Sequence, residues 1–232
     1  MFPSGYKEDK IYSLKPTDGS GDLTFTRAST ATRVNSDGLI ETSPVNLVTY
    51  SEQFDNAGWF KAQTNSTVSV TANQSTAPNG TMTADKIELG AVTSFGDYAI
   101  VGQGFTANNV DYNSSFYLKG ENGGETIYIS YTTNGITYTR QLCTLTTNWQ
   151  RFEHTSFRAT STDNILIGVD RRDSGQGATI AQTFYAWGAQ LNIGATAKPY
   201  FPTTDRLNVP RIDYTGGGCG KLLLESQRTN LV

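Results

Sequence analysis

The chain has 232 residues, of which 18 are basic and 21 acidic, and its formal net charge is -3 at pH 7. This balance provides no basic field for nucleic acid or an anionic membrane, and no apolar run reaches the roughly 18 residues of a membrane span. Only 17% of the residues are charged. Most of the remaining polarity comes from Thr, Ser, Asn and Gly, which is typical of short strands joined by turns, so the composition predicts an all-β protein.

The N-terminal segment, residues 1–42, contains two or three short strand-like runs. They are separated by the turn sequences PTDGSGD and NSDG. So few strands cannot form a core alone. We therefore expect this segment to pair with another part of the chain.

The central segment, residues 43–207, has the strand density of a sandwich or jelly roll. No convincing long helix is present. Asn134 and Gly135 lie between two of the β-rich runs and predict a hairpin. The runs are 67–72, 83–89, 97–105, 114–120, 125–133, 136–143, 149–159, 164–170 and 182–191.

The C-terminal segment, residues 208–232, predicts a hairpin in which a glycine-rich turn joins the strand-like runs RIDY and KLLLE. Its natural partner is the N-terminal segment. The sequence thus predicts a jelly-roll sandwich, residues 43–207, inserted in one small β module that residues 1–42 and 208–232 form together. Thr42 and Asn208 should then lie close in space.

Three consecutive leucines near the end of the chain predict self-association. Leu222, Leu223 and Leu224 alternate between the two faces of a strand, and a small module can cover only one face. The other face would leave an apolar strip that favours a partner subunit. We therefore expect a homo-oligomer with these leucines at its interface.

Several motifs resemble a family of structural proteins of tailed bacteriophages. FTRASTATRVNSDGLIET and VPRIDYTGGGCGKLLLESQRTNLV resemble a module common in those proteins. NLVTYSEQFDNAGWFK, NWQRFE and YAWGAQLNIGATAKPYFPTTDR resemble their carbohydrate-binding-module-like jelly rolls. In longer relatives the sequence RTNLV leads into such a domain, which would account for its echo of PVNLV at 44–48.

The resemblance implies a virion protein assembled in the host cytoplasm: a head fibre, tail fibre or capsid decoration. Its partners would be other virion proteins and further copies of itself, a trimer being favoured. Jelly rolls of this kind often hold a structural calcium, for which oxygen ligands are suitable. The candidate ligands are Glu52, Asp55, Asp97 and Asp163, and the alternative is that these are solvated turn acids.

Enzymatic motifs are scarce, so a non-enzymatic protein is expected. His154, the one histidine, alternates along a strand. The sequence has no nucleophile elbow and no complete dinucleotide loop. Asp170 and Asp173 are the only close acidic pair near a loop, which leaves a polysaccharide depolymerase as a weaker alternative. Cys143 and Cys219 lie far apart without metal-ligand spacing and are expected to be free thiols.

Aromatic residues make up 11% of the chain, and a binding surface is expected among them. A neutral pyranose has an apolar C–H face and a rim of hydroxyls, so its receptor needs an aromatic platform with polar groups beside it. Tyr128 should face outward because Ile127 and Ile129 alternate with it. Trp149 and Trp187 are interpreted as core, or alternatively as sugar platforms. The candidate glycan-binding residues are Tyr98, Tyr128, Tyr138, Gln103, Asn134, Arg140 and Gln190.

Two functions from different classes remain open. In the first, the jelly roll of a virion protein binds host or environmental glycans. In the second, it is purely architectural and contacts other virion proteins. A fold does not determine its function, so residue patterns alone do not separate the two.

Overall fold

The computed structural model describes residues 3–7, 10–13, 32–42, 46–133, 137–154, 157–159, 162–172, 177–204, 212–218 and 220–222. Across these ranges the chain forms strands and turns without a helix, which confirms the predicted all-β class. Accordingly, no helix in the described part of the chain is long and apolar enough to cross a membrane. The chain divides into a terminal unit, Met1–Val45 with Arg206–Val232, and a central unit, Asn46–Asp205.

Seventeen strands lie within the described ranges. In chain order they are β1 (Pro3–Lys7), β2 (Lys10–Ser13), β3 (Thr32–Val34), β4 (Ile40–Thr42), β5 (Phe60–Thr64), β6 (Val68–Ser75), β7 (Ala84–Leu89), β8 (Tyr98–Thr106), β9 (Val110–Gly120), β10 (Thr126–Thr133), β11 (Thr137–Thr144), β12 (Gln150–Glu153), β13 (Phe157–Ala159), β14 (Thr162–Asp170), β15 (Gln182–Ile193), β16 (Ile212–Asp213) and β17 (Lys221–Leu222).

In its described residues, the terminal unit contains three antiparallel strand pairs, β1 with β2, β3 with β4, and β16 with β17. Contacts between β3 and the β16 region join its two chain segments. The Val34 N–H donates to Asp213 Oδ2 at 3.0 Å, and the Tyr214 N–H donates to the Val34 carbonyl at 3.0 Å. Arg33 forms an ion pair with Glu41 at 2.7 Å. The assembly role of this unit stays a prediction.

The predicted oligomer interface falls at the edge of what the structure describes. The backbone of Leu222 in β17 pairs with Ile212. Leu223 and Leu224 lie outside the described residues. The apolar strip and the trimer therefore stay predictions.

The central unit is a sandwich of two antiparallel sheets. The five-stranded sheet has the order β11-β10-β14-β8-β5, and the six-stranded sheet has the order β12-β9-β15-β7-β6, with β13 also paired to β9. The chain changes sheet at each step from β7 to β10 and again from β13 to β15, which is the crossing pattern of a jelly roll. The predicted fold class is confirmed. β10 and β11 pair as the predicted hairpin, although the Asn134–Gly135 turn lies outside the described residues.

The core lies between the two sheets because alternate residues of each strand point to the same side. In β14, Ile165, Ile167 and Val169 are core residues, and in β10 Ile127 and Ile129 are. The largest fully buried side chains of the core include Trp59, Tyr112, Phe54, Phe116, Phe184, Ile87 and Leu118.

Cys143 and His154 are both buried. Cys143 is a free thiol, and burial raises its pKa to about 12, so it stays protonated and unreactive at neutral pH. His154 packs edge-on against Tyr131 and Phe157, with ring centroids 5.4 and 5.6 Å away. It is therefore a buried packing residue. Cys219 lies outside the described residues.

Asp85 is a buried carboxylate that accepts hydrogen bonds from the main-chain N–H groups of Asn73, at 3.0 Å, and Asp55, at 3.2 Å. Burial raises the pKa of Asp85 from 3.8 to about 6, and the backbone donors only partly oppose this effect. The folded pKa is above the unfolded one. The stability that the protonated Asp85 carboxyl group contributes is therefore complete below pH 3.8 and is lost as the pH rises towards about 6.

We expect this titration to be visible when the wild type is compared with Asp85→Asn. Between pH 4 and pH 6 the wild type should lose about 2 kcal/mol relative to the variant, and the difference should level off at about pH 7. Urea unfolding followed by tryptophan fluorescence measures it, because Trp59, Trp149 and Trp187 all belong to the central unit. Parallel curves for the two proteins would show that Asp85 titrates normally.

Candidate functional site

The side of the five-stranded sheet that is turned away from the core is here called the outer face. Strand alternation places Tyr98 on this face of β8, opposite Asp170 of β14. It also places Tyr138 and Arg140 there, opposite Thr132 and Ser130 of β10. The topology therefore brings residues from three separate β-rich runs of the sequence onto one surface.

The middle of the outer face is buried although it lies outside the core. Leu166 is 1% exposed and Ile100 is 3% exposed. Arg140 provides part of the cover, since its Nη2 lies 3.1 Å from Asp170 Oδ1. β10 lies between the strands of these two residues, so the Arg140 side chain has to cross it. Long side chains from the rim thus form a layer over the sheet.

Gly102 in β8 shows how closely this layer approaches the sheet. A Cβ atom at Gly102 would lie 2.4 Å from Leu166 Cδ2 and 2.6 Å from Phe60 Cζ. The absence of a side chain at this position allows the two apolar side chains to close over the backbone. Phe60 is partly exposed on the edge strand β5. It gives the outer face an apolar margin.

Two tyrosine rings of the outer face present a face to the same space. The guanidinium carbon of Arg172 lies 4.1 Å from the ring centroid of Tyr98 and 4.1 Å from that of Tyr138. Arg140 also lies over Tyr138, at 4.9 Å. We call Tyr98 and Tyr138 the tyrosine pair. The flat guanidinium group of Arg172 occupies the space between their two ring faces.

Asp170 anchors the charged groups at the tyrosine pair. Its carboxylate accepts hydrogen bonds from Arg172 Nε at 2.9 Å and Nη2 at 2.7 Å, and it lies 3.1 Å from Arg140 Nη2. Burial by itself raises the pKa of Asp170, but the hydrogen bonds and charge of Arg172, together with the charge of Arg140, outweigh it and hold the pKa below its ordinary value. Asp170 is therefore an ionised acceptor at neutral pH.

The structure brings together four of the seven residues predicted from sequence. Tyr98, Tyr128, Tyr138 and Arg140 all belong to the outer face. Tyr128 is largely covered, because a Cβ atom at Gly177 would lie only 2.9 Å from its Cε2. It therefore forms part of the floor.

The other three predicted residues are not placed at this surface. The amide of Gln103 bonds with Thr49, accepting from its N–H at 2.8 Å and donating to its carbonyl at 3.0 Å. Gln190 belongs to the six-stranded sheet, where it donates to the Lys198 carbonyl at 2.9 Å. Both amides hold loops in place. Asn134 lies outside the described residues.

Asp170 and Arg172 are the site residues that the sequence interpretation missed. The sequence VDRRDSG marked Asp170 only as half of an acidic pair, and its partner Asp173 lies outside the described residues. Two arginines directly after a buried strand were the available signal. The contact of Arg172 with Tyr138 of β11 depends on the sheet order, which a single sequence does not reveal.

The four candidate calcium ligands do not form a common site. Asp97 lies next to the Tyr98–Asp170 pair, at one end of β8 and β14. Asp163 pairs with Phe105 near the other end of these two strands. Glu52 accepts from the Tyr200 hydroxyl at 3.0 Å. Among the described residues, no group of three or more His, Cys, Asp and Glu side chains could hold a metal ion.

Around Asp55, the local cation is the ammonium group of Lys61. It donates to the main-chain carbonyls of Asp55, Asn56 and Trp59 at 2.9, 3.0 and 2.9 Å. Three carbonyl oxygens directed at one point are a typical cation environment, and the lysine already satisfies it. The residues present at this turn therefore fit an internal ammonium better than a bound calcium.

A second group of aromatic side chains lies on the six-stranded sheet, outside the main core. Trp187 is buried there with partly buried Tyr117, Trp149 and Tyr200. The Trp149 Nε1–H donates to the Thr76 carbonyl at 2.8 Å. Trp187 is buried within this small cluster, as the core interpretation predicts, whereas Trp149 packs against the cluster and is only partly buried. Sequence alternation does not distinguish the main core from a satellite cluster.

No protein-family model matches the chain, and no curated protein matches it. Among solved structures, the family 11 carbohydrate-binding module of cellulosomal cellulase Lic26A-Cel5E of Clostridium thermocellum is 11% identical, with a TM-score of 0.47 over 68% of this chain and 99% of that one. TmCBM61 in complex with β-1,4-galactotriose is 15% identical, with a TM-score of 0.45 over 64% of this chain and 99% of that one.

The enzymatically active domain of tailspike protein 4 of bacteriophage CBA120 is also similar. It is 15% identical, with a TM-score of 0.45 over 64% of this chain and 21% of that one. All three TM-scores are below 0.5, so the function has to be argued from the residues of this chain.

Proposed function

We propose that the central unit is a non-enzymatic saccharide-binding domain and that the outer face of its five-stranded sheet is the binding surface. The observation that carries this proposal is the tyrosine pair, whose two ring faces enclose one flat group, the Arg172 guanidinium, beside the ionised carboxylate of Asp170. Aromatic faces suit the C–H face of a pyranose, and a carboxylate accepts hydrogen bonds from its hydroxyls.

The state of Asp170 supports binding rather than hydrolysis. A glycosidase needs a general acid with a raised pKa and a second carboxylate on the other side of the scissile bond. The pKa of Asp170 is shifted the opposite way, and both of its oxygens are held by arginines. A depolymerase is therefore the weaker hypothesis.

The wider proposal is that this domain belongs to a bacteriophage virion protein, as a fibre or a capsid decoration, in an oligomer that displays several copies. It rests on the resemblance of the terminal and central segments to such proteins. Weak single sites would then be compensated by several simultaneous contacts. The architectural alternative uses the same fold without a saccharide.

The binding proposal is tested by removing both rings of the tyrosine pair. The full-length chain and the Tyr98→Ala/Tyr138→Ala variant are applied to a glycan array that carries neutral and acidic bacterial and plant oligosaccharides. We expect the wild type to retain a defined set of glycans. The double variant should bind them roughly 100-fold more weakly, since each ring contributes about 1–1.5 kcal/mol.

Tyr185→Ala is the matched control, because Tyr185 lies on the six-stranded sheet and is also partly buried. It should bind like the wild type. Urea unfolding establishes that all three proteins are folded. If the wild type retains no glycan, the architectural function is the better explanation. If the double variant binds glycans as the wild type does, the outer face is not the binding surface.

A further inference from the structure

We infer that Arg172 fills the saccharide position of the tyrosine pair, and that a neutral pyranose with two adjacent hydroxyls binds by displacing its guanidinium group. This inference rests on the proposed function. Arg172 would then determine how tightly the site binds a sugar and which ligand shape the site accepts.

The guanidinium makes the contacts that such a sugar would make. It is flat and lies 4.1 Å from both ring centroids, so it stacks where the C–H face of a pyranose would stack. Its Nε and Nη2 groups donate two parallel hydrogen bonds to the two oxygens of Asp170, at 2.9 and 2.7 Å. Two adjacent hydroxyls can donate to one carboxylate in the same forked way.

Arg172 is placed so that it can leave this position. It is the second residue after β14, and its side chain is 22% exposed, whereas that of Asp170 is 1% exposed. The guanidinium therefore already reaches the solvent side of the layer. A guanidinium that moves outward is rehydrated, so its displacement creates no buried unpaired charge at Arg172 itself.

Asp170 keeps a partner when Arg172 moves. Arg140 Nη2 lies 3.1 Å from Asp170 Oδ1 and approaches from β11, on the far side of β10. The carboxylate stays ionised and oriented by this ion pair. The vacated space would then be lined by two tyrosine faces and one fixed acceptor, which suits a neutral ring more than an anionic one because a ligand carboxylate would face Asp170.

The displacement model predicts whether Arg172→Ala strengthens or weakens sugar binding. A ligand that must first move a side chain binds with an affinity reduced by the small fraction of open protein. Removing that side chain should tighten binding, by about tenfold if the open state is about a tenth populated. A residue that contacts the ligand directly would have the opposite effect.

The experiment is a titration of the full-length chain with the best neutral oligosaccharide from the array, followed by calorimetry. Wild type, Arg172→Ala, Arg172→Lys and Tyr98→Ala/Tyr138→Ala are compared. We expect Arg172→Ala to bind about tenfold more tightly and Arg172→Lys to fall between it and the wild type. Unchanged or weaker binding by Arg172→Ala overturns the displacement model.

The two proposals fail in different ways. If the double tyrosine variant binds like the wild type, the outer face is not the saccharide site. If the double tyrosine variant loses binding and Arg172→Ala also binds more weakly than the wild type, the outer face is the saccharide site but Arg172 contacts the ligand directly.

A second measurement uses the wild-type chain and needs no variant to fold. The Arg172 Nε–H signal in nitrogen-15 NMR should shift to the position of a solvated arginine when the sugar is added. A signal that keeps its ligand-free position at saturation contradicts displacement.

Discussion

Asp170→Ala is expected to destabilise the central unit by about 3–5 kcal/mol, the usual cost of removing one partner from a buried ion pair. The carboxylate is 1% exposed and holds Arg172 by a forked pair of hydrogen bonds. Its loss leaves the side chain of Arg140, itself 8% exposed, without this counter-ion in a place where water screens poorly. Urea unfolding followed by tryptophan fluorescence measures the loss.

Glu121→Ala is the matched control for this prediction. Glu121 pairs with Lys86 at 3.3 Å, but on the surface, where water and salt screen the pair and it contributes little to stability. The folded pKa of Asp170 is lowered, so its contribution is complete above the unfolded pKa and is lost as the pH falls through the folded one. The difference between wild type and Asp170→Ala should therefore shrink in acid. Equal losses in the two variants would contradict a structural role for the Asp170 cluster.

Trp59→Ala is expected to have an effect of similar size, about 3–5 kcal/mol, because it removes a large side chain from a close-packed core. Trp59 is 1% exposed, and its ring centroid lies 4.6 Å from that of Phe54 and 6.4 Å from that of Phe116. Its Nε1–H also donates to the Tyr50 carbonyl at 3.0 Å. The surrounding strands cannot close the resulting cavity without distorting their ladders.

Trp149→Ala is the same substitution outside the main core. Trp149 is partly buried, and Lys119 Nζ lies 5.2 Å from its ring centroid. We expect it to cost less than about half as much as Trp59→Ala, since the site is open to solvent and leaves a smaller cavity. Similar losses for the two tryptophans would show that the six-stranded sheet carries a second essential core. Denaturation midpoints of both variants decide between these outcomes.

The fold class was accessible from the sequence because its signals are local. Alternation in TIYISY predicts that Ile127 and Ile129 point to one side, and the structure places both in the core. Tyr128 faces the other way as predicted, but neighbouring segments cover it. Alternation identifies the face of a strand, whereas exposure depends on what crosses that face.

The site was only partly accessible, since it depends on sheet order. Tyr98, Tyr138 and Arg140 meet because β8, β14, β10 and β11 are neighbours in one sheet. Gln103 occurs on the same strand as Tyr98, but its odd spacing from Tyr98 directs it to the opposite face, where it bonds with Thr49. Gln103 was predicted as a polar neighbour of Tyr98 from its residue type, but the alternation of side chains along β8 places the two on opposite faces of the sheet.

The most direct measurement of the central claim is a chemical-shift map of the nitrogen-15-labelled full-length chain during titration with a saccharide from the array. The proposed site predicts that the largest changes occur on the outer face, at the main-chain N–H groups of Tyr98, Tyr138 and Asp170 and at the side chain of Arg172. Changes confined to the six-stranded sheet around Trp149 and Lys119, or no changes at saturating saccharide, would contradict it.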